Sequence, residues 1–208
     1  MILVLWSSPN QDGLTAQAAE RIAAGIRREG REAVLLRLGD YPLTLCRACG
    51  RGRGSCAARG ECVIQDGFGE IYRQMSQADG LAVVTPVYWY EPSENLKCLI
   101  DRLRRCETAH NHFLKGRKVM LAACAGESGN GAVGCLRRME EAFSQMETQL
   151  VERLPVTRFN APYLLPALEE AGARFALLCA QKTVIFGGRN RQLTDFPVGL
   201  VAANRYFC

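Results

Sequence analysis

LAVVTPVYWYEPSENLKCLIDRLRRC, residues 81–106, changes its hydrophobic period once, and that change decides the fold. Leu81–Thr85 is an unbroken apolar run ending on a hydroxyl, the length and pattern of a strand buried on both faces. Three consecutive aromatics follow, Tyr88, Trp89 and Tyr90. From Ser93, just past Pro92, the spacing turns helical and stays so through Cys106. A buried strand, a loop and a helix of this size make half of a βαβ unit.

The same alternation runs outward in both directions. Strands are expected at Ile2–Trp6, Ala33–Arg37, Lys118–Cys124 and within Leu150–Phe159. Helices are expected at Thr15–Glu29, Gly67–Gln77, Ala132–Met146 and Leu165–Gln181. Short strands separated by helices predict right-handed crossovers on a parallel sheet, a single α/β domain over residues 1–181. Residues 182–208 have no clear period and contain a Gly-Gly pair and Phe196-Pro197; an extension or arm is expected there, covering a neighbour or the active site.

The charge is uneven. Of a net +5, residues 45–62 supply +3, four arginines (Arg47, Arg51, Arg53, Arg59) minus Glu61. No lysine-rich or aromatic-interleaved pattern points to nucleic acid. No run of about 18 apolar residues predicts a membrane span, and Met1–Trp6 carries neither a basic leader nor a cleavage signature. A soluble cytoplasmic protein is expected. In a reducing compartment, clustered cysteines are more often metal ligands or redox groups than structural disulfides. The segment 45–62 holds four of them, as Cys46-x2-Cys49-x6-Cys56-x5-Cys62. Iron–sulfur, zinc, a thiol–disulfide pair and unligated thiols all remain open on spacing alone. Cys98, Cys106, Cys124, Cys135, Cys179 and Cys208 sit in mostly apolar settings and read as core cysteines. His110 and His112 read as a surface turn and a poor metal signal.

Open parallel sheets bind ligands at the carboxyl ends of their strands. Three loops lie there. In residues 7–15, Ser7, Ser8, Asn10, Gly13 and Thr15 place hydroxyl and amide donors at a helix start, suited to a phosphate monoester; plain capping by Asp12 or Thr15 is the alternative. In residues 86–95, Pro86, Val87, Tyr88, Trp89 and Tyr90 can flank a flat ring. In residues 125–131, Gly126, Gly129 and Gly131 let backbone come close to a planar ligand, and Ala125 and Glu127 are expected beside them at the same site. No GxGxxG follows the first strand and no GxxxxGK[ST] occurs, so a dinucleotide crevice or P-loop is not expected. A phosphate site with ring contacts describes a mononucleotide such as FMN.

Two of these loops carry a resemblance. Ser8-Pro9, Gly13 and Thr15 match a GSPRKNGNT-like segment, with Leu14 where Asn is usual, and TPVYWYEPSENLKCLIDR (85–102) is similar to SPVYFGSVSAQLKALIDR. The chain thus resembles the flavodoxin-like NAD(P)H-dependent FMN reductases, and among them the iron–sulfur flavoproteins, over roughly residues 1–145. It departs at Tyr90, where the family has glycine, and at residues 50–55, where six residues replace two between the second and third cysteines. The resemblance implies a doubly wound five-stranded sheet of order 2-1-3-4-5, bound FMN, and a homodimer or homotetramer. It also implies a 4Fe-4S cluster on Cys46, Cys49, Cys56 and Cys62.

The expected function is FMN-dependent NAD(P)H oxidoreduction. Hydride passes to the flavin and electrons pass onward, through the cluster, to a small-molecule acceptor or a redox partner protein. No catalytic acid or base is required. The alternatives are a flavin and iron–sulfur electron-transfer protein without NAD(P)H, and a zinc- or disulfide-stapled binding protein. Asp101, beside Arg102 and Arg104, reads as part of an ion pair that tethers loops or subunits.

Overall fold

A computed structural model describes residues 1–181; the expected arm at 182–208, with Cys208, and the side chain of His110 lie outside the described residues. Five parallel strands, β1 (Ile2–Trp6), β2 (Ala33–Arg37), β3 (Gly80–Tyr88), β4 (Lys118–Ala125) and β5 (Gln149–Thr157), stand in the order 2-1-3-4-5. The expected doubly wound parallel sheet is therefore present. A two-residue strand, Glu91–Pro92, returns antiparallel against the end of β3.

The continuous apolar runs have a simple cause. Side chains alternate across each strand, and helices cover both faces. Leu3, Leu5, Leu81, Val83 and Leu121 enter one core, under α2 (Phe68–Gln77), α3 (Glu94–Cys106) and α4 (Ala132–Gln145). Ile2, Val4, Ala82, Val84, Met120 and Ala122 enter the other, under α1 (Leu14–Arg28) and α5 (Ala161–Ala180).

Two boundaries differ from expectation by three residues or more. β3 runs on to Tyr88 because Val87 and Tyr88 pair with the returning Pro92 and Glu91. Helix α5 begins at Ala161 rather than Leu165. Pro162 falls in the first turn, where a missing N–H costs nothing, although Pro166 lies inside the helix. Among the described residues no helix is long and apolar enough to cross a membrane.

A turn of π-helix, Glu107–Asn111, follows α3. Glu107 is buried; its Oε1 accepts from the Leu114 N–H, and its Oε2 has no partner. Burial pushes the carboxyl up, against that N–H and the nearby His112 and Arg117. Such a group stabilises the fold below the unfolded-chain value of about 4.3 and loses that contribution as pH rises through the folded value. Glu107→Gln is therefore expected to gain about 1 kcal/mol at pH 7 and nothing at pH 4, as read in urea melts at the two pH values.

Candidate functional site

A cavity of about 560 Å³ opens at the carboxyl ends of β1, β3 and β4, within the range of small-molecule sites. Its first wall is the turn into α1. Gly13 is the N-cap and no side chain caps the helix, which replaces the capping by Asp12 or Thr15 considered from sequence. Gly13, Leu14 and Thr15, at the uncapped start of the helix, line the cavity with Ser8 and Asn10. A helix N-terminus with neutral donors beside it is an arrangement able to receive an anion.

The second wall is a two-residue hairpin. Tyr88 pairs with Glu91, and between them Trp89 and Tyr90 have φ values of 51° and 68°. Both lie in the left-handed region, which is unfavourable for aromatic residues. Tyr90 stands where the resembled family carries glycine, the residue that adopts this conformation freely. Packing holds it: a Cβ at Gly131 would come within 3.2 Å of the Tyr90 Cα, and one at Gly134 within 3.2 Å of its ring. Trp89 is 94% exposed and stands at the cavity mouth.

The third wall is Ala125–Ser128 with Asn130. Of the residues expected from sequence, Ser8, Asn10, Gly13, Thr15, Pro86, Val87, Tyr88, Trp89, Tyr90, Ala125, Gly126 and Glu127 line the cavity. Ser7 and Gly129 do not. Ser7 is buried one layer below, where its hydroxyl donates to Thr85 Oγ1 (2.9 Å) and accepts from Ser93 Oγ (2.8 Å). This chain of hydroxyls ties β1, β3 and the N-cap of α3 together beneath the loops. Gly129 turns the backbone at φ 68° against the Phe159 ring. Leu14, Cys124, Ser128 and Asn130 also line the cavity, though none of them was expected from the sequence to contact a ligand. The Cys124 thiol, under the Thr15 hydroxyl, is pushed up to about 12 by burial. It is a neutral part of the floor.

The cysteine segment forms a second, smaller cavity of about 170 Å³. Cys46, Cys49, Cys56 and Cys62 all line it, with Arg47, Arg51, Arg104 and Arg105 and no acidic residue. All nine described cysteines are free thiols. The inserted residues 50–55 are not a loose spacer: Gly50 and Arg51 make a left-handed turn after Cys49 (φ 58° and 56°), and the chain leads into a short helical turn, Ser55–Arg59, which carries Cys56. Among the described residues, no group of three or more His, Cys, Asp or Glu side chains is already arranged to hold a metal. The thiols share one cavity but are not closed on a common point.

Two side chains anchor this segment to the domain. Asn111 donates to the Gly60 carbonyl and to the Tyr72 hydroxyl. Arg102, 2% exposed, pairs with Asp66 at 2.7 Å. The tether expected at Asp101 is thus made by its neighbour. Asp101 points outward and pairs with Lys97 one turn back, at 2.7 Å. Burial alone would lift the Asp66 carboxyl; Arg102 and the N–H groups of Thr44 and Phe68 outweigh it and hold the carboxyl below its ordinary range.

Comparison with known proteins agrees with this geometry. The profile of the NADPH-dependent FMN reductase family matches residues 1–162. An iron–sulfur flavoprotein of Methanocaldococcus jannaschii is 32% identical over 130 residues, 62% of this chain and 64% of that protein. One of Methanosarcina thermophila is 35% identical over 108 residues, 50% of this chain and 52% of that protein. These matches span between about half and two-thirds of the relatives' own length. A solved NADH:FMN oxidoreductase in its apo form superposes with a TM-score of 0.61 at 19% identity, over 87% of this chain and 91% of its own. A flavodoxin from the domain Archaea gives 0.58 at 14% identity, over 87% of this chain and 100% of its own. At those identities the two structures speak for the fold alone. The profile match covers the sheet, its three ligand-facing loops and the cysteine segment together, and by it the chain belongs to the NADPH-dependent FMN reductase family, a family of flavin-binding oxidoreductases.

Proposed function

We propose that this chain is an FMN-dependent NAD(P)H oxidoreductase that passes electrons onward through an iron–sulfur centre held by Cys46, Cys49, Cys56 and Cys62. One observation carries the proposal: helix α3 joins the two cavities. Its N-cap, Ser93, bonds into the hydroxyl chain under the larger cavity, and Arg104 and Arg105 near its end line the thiol cavity. At about 1.5 Å per residue, the rise from Ser93 to Arg104 is roughly 16 Å.

Both groups suit the residues present. The uncapped α1 N-terminus, with Ser8 and Asn10, offers donors to a phosphate monoester. Tyr88 and Trp89 stand where a ring system needs walls, and the backbone of Gly126–Ser128 provides donors toward its edge. The thiol cavity has only soft ligands and no imidazole or carboxylate, and its four arginines offset the charge of a thiolate-bound centre. When bound, FMN supplies hydride acceptance with one-electron release, and an iron–sulfur centre supplies one-electron transfer. The chain's part is to bind, orient and insulate; no side chain needs to move a proton.

The test is anaerobic purification followed by an absorption spectrum, assays of iron, zinc and acid-labile sulfide, and stopped-flow mixing with NADH and NADPH. Flavin with iron and sulfide, bleached on a catalytic timescale, is the expected result. A colourless chain that does not take up FMN would overturn the reading. One observation favours electron transfer without NAD(P)H: Tyr90, packed against Gly131 and Gly134, fills the rim where the family's glycine leaves space. Slow bleaching by both nucleotides would select that reading.

Asn10→Asp gives a sharper test of the phosphate cradle. Asn10 is exposed and the change is isosteric, so thermal stability should hold. A donor is lost, about 1.5 kcal/mol toward a charged group, and a like charge is added, about 1 kcal/mol at 4 Å in water. FMN affinity, measured by flavin fluorescence titration, should fall roughly 100-fold, less at high salt.

A further inference from the structure

Arg102 is engaged by every Nη atom it has. Nη1 donates to both Asp66 oxygens (2.9 and 2.7 Å) and to the Thr44 carbonyl (3.2 Å). Nη2 donates to Cys62 Sγ (3.2 Å) and the Ile64 carbonyl (3.4 Å). The guanidinium carbon lies 4.2 Å from the centre of the Phe68 ring, and Nε is buried without a partner. Asp66 is itself fixed by the N–H groups of Thr44 and Phe68. One buried cation thus grips the chain just before Cys46 and just after Cys62, and aims an N–H at one sulfur of the cavity. Among the hydrogen bonds of the described residues, Cys62 is the only one of the four cavity thiols that accepts a side-chain donor.

Holding the segment does not by itself require that contact. The Asp66 pair and the two carbonyls already close the tether. A permanent charge directed at a sulfur does something further. Hydrogen bonds to ligating sulfurs set cluster potentials, and partners outside the ligand set typically matter about 10–100-fold to metal retention. Resting on the reading that these thiols hold an iron–sulfur centre, we propose that Arg102 is a positioning residue for that centre: it orients Cys62 as a ligand and raises the centre's reduction potential. Arg104 and Arg105 line the same cavity but make no hydrogen bond to a sulfur. Lysine cannot replace Arg102, because a single ammonium cannot span Thr44, Asp66 and Cys62 at once.

The experiment uses the full chain, reconstituted without oxygen with ferrous iron and sulfide, as wild type, Arg102→Lys and Asp66→Asn. Iron and sulfide per chain, thermal melting and a spectroelectrochemical potential are read for each. Arg102→Lys should retain iron at least about tenfold less tightly. Its remaining centre should titrate lower by about 59 mV, the equivalent of tenfold for one electron. Asp66→Asn weakens the tether, leaves the sulfur contact and removes the counter-charge of Arg102, so it should melt earlier at a potential that does not fall. Arg102→Lys with wild-type iron retention and potential would overturn the proposal, as would equal potential shifts in both variants. If Arg102→Lys does not fold, a chain with Arg47, Arg51, Arg104 and Arg105 all changed to lysine and labelled with 15N-arginine decides. Pulsed EPR of its reduced centre should show a coupled arginine nitrogen, and no coupling would overturn the proposal. Wild type that takes up no iron or sulfide fails the iron–sulfur reading itself, a separate outcome.

Discussion

Cys56→Ser, prepared without oxygen, is expected to lose nearly all iron and sulfide while still binding FMN. Wild type should hold about four of each per chain. Cys56 sits on the short helical turn Ser55–Arg59, beyond the inserted residues, and reaches the cavity only because that turn folds back. Serine keeps the size and the turn but removes a soft ligand, and three thiolates do not complete a four-cysteine ligand set. The larger cavity shares no lining residue with this one, so flavin absorption should persist. Iron and sulfide assays with a spectrum of the same sample check the result. Unchanged iron would mean that Cys56 is not a ligand. Zinc in wild type at one per chain would instead make the segment a structural staple.

Gly25→Ala should give the largest stability loss of any glycine-to-alanine change outside the loops, together with weaker FMN binding. Helices α1 and α5 cross backbone to backbone. A Cβ at Gly172 would lie 2.2 Å from the Ile22 carbonyl oxygen, and one at Gly25 would lie 1.8 Å from that of Glu169. The obstacle is main chain, so no side chain can rotate away and the helices must separate. Overpacking of this kind costs about 3 kcal/mol, or roughly 6–12 °C in melting temperature for a chain of this size. Because α1 also presents its N-terminus to the larger cavity, moving it misplaces the first-turn N–H groups. Thermal melts and a flavin titration on one preparation read both effects. Wild-type stability would show that the two helices are not in backbone contact.

Much of this was legible in the sequence because it depends on local pattern. Buried strands need unbroken apolar runs, so Ile2–Trp6, Ala33–Arg37 and Lys118–Cys124 announced themselves. The abrupt change of period at Pro92 placed α3, and loop chemistry at the strand ends pointed to one ligand site. What stayed hidden depends on contacts between residues far apart in the chain. Ser7 looked like a ligand donor because its residue type suits a phosphate; only the approach of Thr85 and Ser93 turns its hydroxyl inward. Gly25 and Gly172, in helix interiors, carry no local signal in the sequence; their role appears only where α1 and α5 touch. Tyr90 read as a substitution until its positive φ and its packing on Gly131 were known.

The cysteines divide the same way. Their type and clustering in the sequence marked a candidate soft ligand set. Their convergence on one cavity, and the buried arginine that joins Thr44, Asp66 and Cys62, belong to the tertiary structure. Composition and period determine which segments must leave water and in what secondary structure. Which polar group meets which is decided when those segments pack, because a buried donor or charge is tolerated only where the fold supplies its partner.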